Sequence, residues 1–462
     1  MSVFGSFVKK LSDMQFQDRL IEFFKKMMLV GRVSKYPHRN IAVGYLIYAV
    51  MGFVLLLLPI SHKVPCSLVD DLFTAVSALS TTGLATVDTS ATYTIFGQCV
   101  LLLLIQIGGI GYMTLCSYLF YRITHHLLKF SSDVMRTSLT MPTGISLKTL
   151  MKNVLLFTFA FEVVGFVALY ILLRCADVHM PAWNAMFLSI SSFCTAGFSP
   201  FSDSLCSLRN NVALNMVVAM LAYAGGMGFI VLTDCFRKIA HRSHHITFTT
   251  KVILFVTLLL TLWGTVAVMV STYGTYDSFG ETLLVSFFHT MSATTTVGFN
   301  TIDLRAMNLF TILTFCAIMF VGASPSGTGG GVKSTSISAV YGFVKSRLRA
   351  QSQVTISGHK IPFYRVDSAI TNMVLYIVVL VAGVMLLSIT ETFPLSDLLF
   401  EAASALGTVG LSLGITSSLS EVGKCVVIVL MFIGRIGVIT FASSLLYRIK
   451  MKYNVHVDDL AV

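Results

Sequence analysis

Four short stretches of this chain match one another without gaps, and each is apolar yet too short to cross a bilayer. They read FTAVSALSTTGL at 73–84, FLSISSFCTAGF at 187–198, FHTMSATTTVGF at 288–299 and FEAASALGTVGL at 400–411. All four fit F-x-x-x-S-[AS]-x-x-T-x-G-[LF], and the glycine-to-glycine steps are 114, 101 and 112 residues. Self-similarity at that spacing means one structural unit used four times. Longer apolar runs flank every copy, at roughly 41–60, 95–120, 154–173, 212–233, 252–271, 309–347 (interrupted), 369–389 and 425–447. Each is long enough for about 30 Å of hydrocarbon. The reading is an all-α membrane protein of eight full spans, built from four pseudo-repeats of span, pore half-helix and span around one central pore. The repeats occupy 41–122, 150–238, 251–348 and 367–448. An amphipathic cytoplasmic segment, 1–40, precedes them and a tail, 449–462, follows.

Non-helical backbone is tolerated at membrane depth only where protein buries it or a water-filled cavity receives its polar groups. Four equivalent half-helices, expected to run eight to ten residues each, satisfy that rule if they converge on one axis. Their C-terminal carbonyl ends then direct partial negative charge into a shared aqueous space. Beyond each helix end the backbone of Thr81-Thr82-Gly83, Thr195-Ala196-Gly197, Thr296-Val297-Gly298 and Thr408-Val409-Gly410 can turn its carbonyls to that axis, with glycine reaching the φ/ψ values a Cβ forbids. A ring of such carbonyls replaces the hydration shell of a potassium ion. Potassium is thus expected as substrate at this ring. No covalently bound cofactor is expected.

Charge placement sets topology. The net charge is +11 and mean hydropathy +0.82. Of the 32 Lys and Arg, 25 fall in the N-terminal segment, alternate loops and the tail. That puts both termini in the cytoplasm and assigns the basic surplus to the inner face, not to nucleic acid. The outer segments carry a net −6, a sign that concentrates cations. No short apolar leader with a small-residue cleavage site opens the chain. The nine cysteines are scattered without metal spacing, and His241, His244 and His245 read as solvated loop. No HExxH occurs, and an enzyme is not expected.

Two places in the second spans stand out. Residues 322–335 contain Gly327, Thr328, Gly329, Gly330 and Gly331 behind Pro325, which cannot continue a helix. The span must break there, and a flexible polar stretch beneath the filter that can move aside is a gate. GTGGGVKS suggests a phosphate-binding loop, but Val332 stands where that motif needs glycine. Lys333 and Arg435 lie in apolar surroundings. Arg435 should face the pore and oppose cations; the competing reading is a structural salt bridge to Glu401 or Glu162. The glycines of IGGIG at 107–111 and AGGMG at 224–228 read as close helix packing.

The four motifs, with GASPSGTGGGVKS at 322–334 and GRIG at 434–437, resemble the Trk/Ktr/HKT superfamily of potassium transporters, closest to the bacterial KtrB-type membrane subunit. The resemblance spans about residues 40–450. It implies potassium uptake, since glycine at all four filter positions goes with potassium selectivity in that family. It also implies an intramembrane gate at 322–335, a pore arginine at Arg435, a homodimer in the bacterial cytoplasmic membrane and a cytosolic KtrA-type nucleotide-binding ring. Sodium stimulation, frequent in the family, is left open. The alternative class is a sodium or cation secondary carrier with alternating access, which usually shows inverted repeats.

Overall fold

The computed structural model describes residues 37–111, 147–240, 246–276 and 278–446. Most of the segment 1–40, the tail 449–462, the three clustered histidines and most of the basic loop 122–152 lie outside the described residues. Helices follow one another in four sets. The first is α1 (Pro37–Leu56), α2 (Leu68–Ser80) and α3 (Ile95–Ile110). The second is α4 (Leu147–Cys175), α5 (Pro181–Phe193), α6 (Val212–Met227) and α7 (Phe229–Ile239). The third is α8 (Phe248–Ser271), α9 (Phe279–Thr295), α10 (Leu309–Val321) and α11 (Ser334–Leu348). The fourth is α12 (Phe363–Thr390), α13 (Leu395–Gly407), α14 (Glu421–Ile436) and α15 (Val438–Leu446).

Polar caps start the helices that follow each motif. Thr94, Asn211, Asn308 and Ser420 accept a hydrogen bond from the backbone N–H three residues on, satisfying a donor that the first turn leaves free. The motif helices α2, α5, α9 and α13 run 13, 13, 17 and 13 residues, longer than the eight to ten expected. Ser67 and Ser278 cap two of them from outside the repeated block, which is why the motif alone understates their length. Phe73, Phe187, Phe288 and Phe400 are fully buried.

Packing joins the sets in a circle. Each motif helix packs against the helix after it in its own set and against the corresponding helix of the set before: α5 on α3, α9 on α6, α13 on α10, and α2 on α14. The last pair closes the circle. Outside it, α7 lies on α8, α11 on α12 and α15 on α1. The outward faces of α4, α8 and α12 stay apolar and exposed, as at Val164, Phe255, Leu258 and Val378. Apolar residues on that face suit contact with hydrocarbon.

The crossings differ from the uniform spans read in the sequence. α1, α4, α8 and α12 each contain a stretch long and apolar enough to cross a membrane. The second helices of the last three sets are interrupted, and that of the first set ends where the described residues stop. α6 and α7 meet at 103° across Gly228, α14 and α15 at 101° across Gly437, α10 ends at Gly322, and α3 ends at Gly111. All four glycines have positive φ, from 67° to 92°, which a helix cannot accommodate. The sequence reading placed a break only at 322–335. Among the described residues the sole sheet is a two-residue ladder, β1 (Thr355–Ile356) with β2 (His359–Lys360), turned by Ser357 and Gly358, both at positive φ.

Candidate functional site

Where each motif helix stops, its threonine enters the left-handed region: φ is 54° at Thr81, 50° at Thr195, 60° at Thr296 and 49° at Thr408. A β-branched residue rarely adopts this conformation, and strain of this kind needs surrounding structure to hold it. The motif serine supplies part of that hold. Ser77, Ser191 and Ser292 donate from Oγ to the carbonyls of Leu84, Phe198 and Phe299 at 2.7, 2.7 and 2.8 Å. In the fourth copy Ser404 Oγ accepts from Gly410 N–H at 3.1 Å. Each serine carbonyl also accepts from the residue before the glycine: Thr82, Ala196, Val297 and Val409 donate at 2.8–3.0 Å. The helix end and the turn beyond it are thereby tied together by one serine.

The four turns meet. A Cβ on Gly83 would lie 2.4 Å from the Ala196 carbonyl oxygen, one on Gly197 2.3 Å from Val297 O, one on Gly298 2.3 Å from Val409 O, and one on Gly410 2.1 Å from Thr82 O. Each turn therefore abuts the next, and the fourth abuts the first. Carbonyl oxygens of Thr82, Ala196, Val297 and Val409 form a closed backbone ring with no room for a side chain at any glycine. The packing glycines read in the sequence lie behind it: Cβ atoms at Gly108, Gly225 and Gly434 would strike the carbonyls of Leu79, Phe193 and Leu406, at the ends of α2, α5 and α13.

The segment between α10 and α11 runs beneath this ring and touches all four turns. Thr81 Oγ1 donates to Thr328 O at 3.2 Å, and the hydroxyls of Thr195 and Thr328 lie 2.8 Å apart. Gly329 packs against Thr296 Oγ1, and Gly330 against Thr408 Oγ1. Gly327 packs on Gly226 O, and Gly331, with φ of 83°, on Gly322. Lys333 is half-buried and turns its Nζ back onto the carbonyls of Gly329 and Gly330, at 2.5 and 3.3 Å.

Arg435 reaches the same place from α14. Its guanidinium donates to Thr81 Oγ1 at 2.9 Å, to Thr328 O and to Gly108 O. The salt-bridge alternative has no counterpart among the described residues. Glu401 accepts from Ser412 and Thr416 hydroxyls at 2.8 and 2.5 Å, and Glu162 accepts from Gln106 at 2.9 Å. Sequence reasoning missed the link from Arg435 to Thr81, although alignment of the GGIG, GGMG and GRIG segments puts Arg435 where Gly109 and Gly226 stand.

The TrkH family profile, described as "Cation transport protein", matches residues 45–455. The chain is 34% identical over 418 residues to Ktr system potassium uptake protein B of Bacillus subtilis, covering 88% of this chain and 92% of that one. It is also 34% identical to the potassium/sodium uptake protein NtpJ of Enterococcus hirae, over 89% and 93% of the two chains. The crystal structure of the potassium transporter TrkH from Vibrio parahaemolyticus has the same fold, with a TM-score of 0.73 at 20% identity over 89% of this chain and 86% of that one. A family match across nine-tenths of the chain, on a fold with several membrane-length apolar helices, leaves one conclusion: the chain belongs to the TrkH family of cation transport proteins.

Proposed function

We propose that this protein takes up potassium across the bacterial cytoplasmic membrane through a carbonyl selectivity filter at Thr81–Gly83, Thr195–Gly197, Thr296–Gly298 and Thr408–Gly410. The closed ring of four backbone turns carries this reading. Oxygens held on backbone cannot collapse onto a smaller ion without moving the turns, which the motif serines resist. Segment 322–335 is the gate, with Gly327 to Gly331 lying across the exit and Lys333 and Arg435 holding it. The eight crossings follow if each interrupted second helix serves as one span, giving pore repeats 41–122, 150–238, 251–348 and 367–448 with both termini inside. All four repeats share one orientation, which supports a pore over an alternating-access carrier.

Regulation is assigned outside the chain. A homodimer resting on a cytosolic KtrA-type nucleotide-binding ring supplies control; the relatives named for a Ktr system support this reading. The potassium/sodium naming of the Enterococcus relative motivates testing sodium as both substrate and stimulant. The decisive measurement is potassium flux into vesicles reconstituted with the chain, with rubidium and sodium as competitors, for the native protein and for Gly83→Ser. Native vesicles should prefer potassium and rubidium. Gly83→Ser should lose much of that preference, because the new Cβ falls on the Ala196 carbonyl. Unchanged relative uptake of the two ions in the variant rejects the filter.

A further inference from the structure

Away from the ring, at the outer end of the first set, three side chains of different donor chemistry converge. His62 and Cys66 lie in the loop between α1 and α2, and Asp71 in the first turn of α2. One ring nitrogen of His62, Sγ of Cys66 and a carboxylate oxygen of Asp71 all fall within 4.8 Å of one another. His62 Nε2 is 3.2 Å from Asp71 Oδ2, and Cys66 Sγ is 3.2 Å from Asp71 Oδ1. Bonds of about 2.0–2.3 Å in a tetrahedral zinc site put neighbouring ligand atoms roughly 3.3–3.7 Å apart. Each pair is near the length of one such edge, but the two run to different oxygens of Asp71, so the carboxylate must turn one oxygen to the ion for all three ligands to share it.

Independent features mark the place as built. His62 Nδ1 is buried and has no hydrogen-bond partner, while Nε2, the nitrogen beside Asp71, also lies 3.1 Å from Leu56 O, a contact that an ion on Nε2 displaces. The backbone of His62 is locked opposite Tyr93 in an antiparallel bridge, and the Tyr93 hydroxyl donates to Asp71 Oδ1 at 2.9 Å. A carboxylate ligand held by an outer hydrogen bond is the usual support of a metal centre. The side chains of His62 and Asp71 are 14% and 3% exposed, so the cluster is largely enclosed by protein.

We propose that His62, Cys66 and Asp71 bind one zinc-class ion at the outer face, with water completing the tetrahedron. Thiolate with imidazole selects such an ion over potassium, sodium, magnesium or calcium. On binding, the Cys66 thiol gives its proton to solvent, and thiolate plus carboxylate cancel the charge of the divalent ion. Loading therefore cancels the single negative charge of Asp71 and ties the 57–67 loop to α2. The site is about 15 Å of helix above the Thr81 turn, so it braces that helix and does not block the pore.

The test uses the full chain, reduced and freed of metal by chelator, titrated with cobalt as an optical probe and then with zinc while thermal unfolding is followed. One cobalt per chain, a thiolate-to-cobalt absorption band and a zinc-dependent rise in melting temperature are expected. Cys66→Ser should unfold like the native chain in chelator yet lose the band and the zinc effect. Tyr93→Phe, which keeps all three ligands, should bind roughly tenfold or more weakly. Failure of the native chain to bind cobalt overturns the proposal, as does a band or zinc shift that survives Cys66→Ser.

Discussion

Arg435 takes the position that Gly109 and Gly226 hold in two other repeats, and it places a fixed positive charge beneath the backbone ring. A charge at contact distance in a partly solvated path costs a cation on the order of 1–4 kcal/mol. Arg435→Ala should therefore raise maximal potassium uptake by about tenfold per 1.4 kcal/mol of barrier removed, with the order of ion preference kept. Because Arg435 has no carboxylate partner among the described residues, normal protein yield is expected as well. Initial uptake rate and yield, measured together, check this; low yield with slower flux contradicts it. Ser77→Ala removes the bond to Leu84 O and the acceptor of Gly83 N–H, at a side chain that is itself fully buried. A buried group left without its partner costs about 1–3 kcal/mol. The variant should melt lower and discriminate less between potassium and sodium, and unaltered discrimination in a destabilised protein would assign the serine to folding alone. The sequence displayed these serines four times over, but not their task, because a bond to a residue seven positions on exists only after the helix has ended and the chain reversed. The left-handed threonines were equally hidden, since intrinsic preference argues against that conformation and the tertiary ring imposes it.

Elements tell a similar story of breaks placed by contact. The segment after α10 is tethered to the end of α6: Ser324 N–H donates to Gly226 O at 3.2 Å, and Thr328 N–H to Gly225 O at 3.2 Å. Deleting 326–331 removes the stretch beneath the ring and should raise basal flux while leaving ion preference intact. Equal flux in vesicles before and after the deletion would make the segment a packing kink. Gly228→Ala probes the same contact from the other side, since the residue sits at φ +86° and its Cβ would press on Pro325 O and Gly327 N at 2.8 Å. Strain in that region costs on the order of 1–3 kcal/mol. The expected outcome is higher basal flux from a displaced segment, read beside a melting curve. The break at 322–335 was legible because proline and glycines are written there. The bends at Gly228 and Gly437 were not, because glycines in an apolar run are compatible with a continuous helix, and at Gly228 the segment that occupies the bend, Pro325 to Gly327, comes from another set.

At the scale of the molecule, the charge asymmetry read from the sequence and the shortness of the inner loops both direct attention to a partner below. Flux in native membranes should respond to added nucleotide, and a soluble ring protein should copurify with the chain; copurification of the chain alone with indifferent flux contradicts that assembly. A helical membrane fold with several apolar spans was legible in the apolar runs, whereas the contact between the last set and the first was not, since nothing local marks it. That contact joins residues 354 positions apart: Lys424 to Asp70 at 2.7 Å, and Arg435 to Thr81. Synthesis therefore delivers the first turn long before its last neighbour exists. While the ribosome is still making the middle of the chain, α2 lacks α14 along one flank, α1 lacks α15, and the Thr82 carbonyl has no Gly410 against it. Contacts this distant in sequence form late. A nascent chain cut short before α14 keeps an open slot in its wall, and only the finished polypeptide can close the conduit that its first repeat begins.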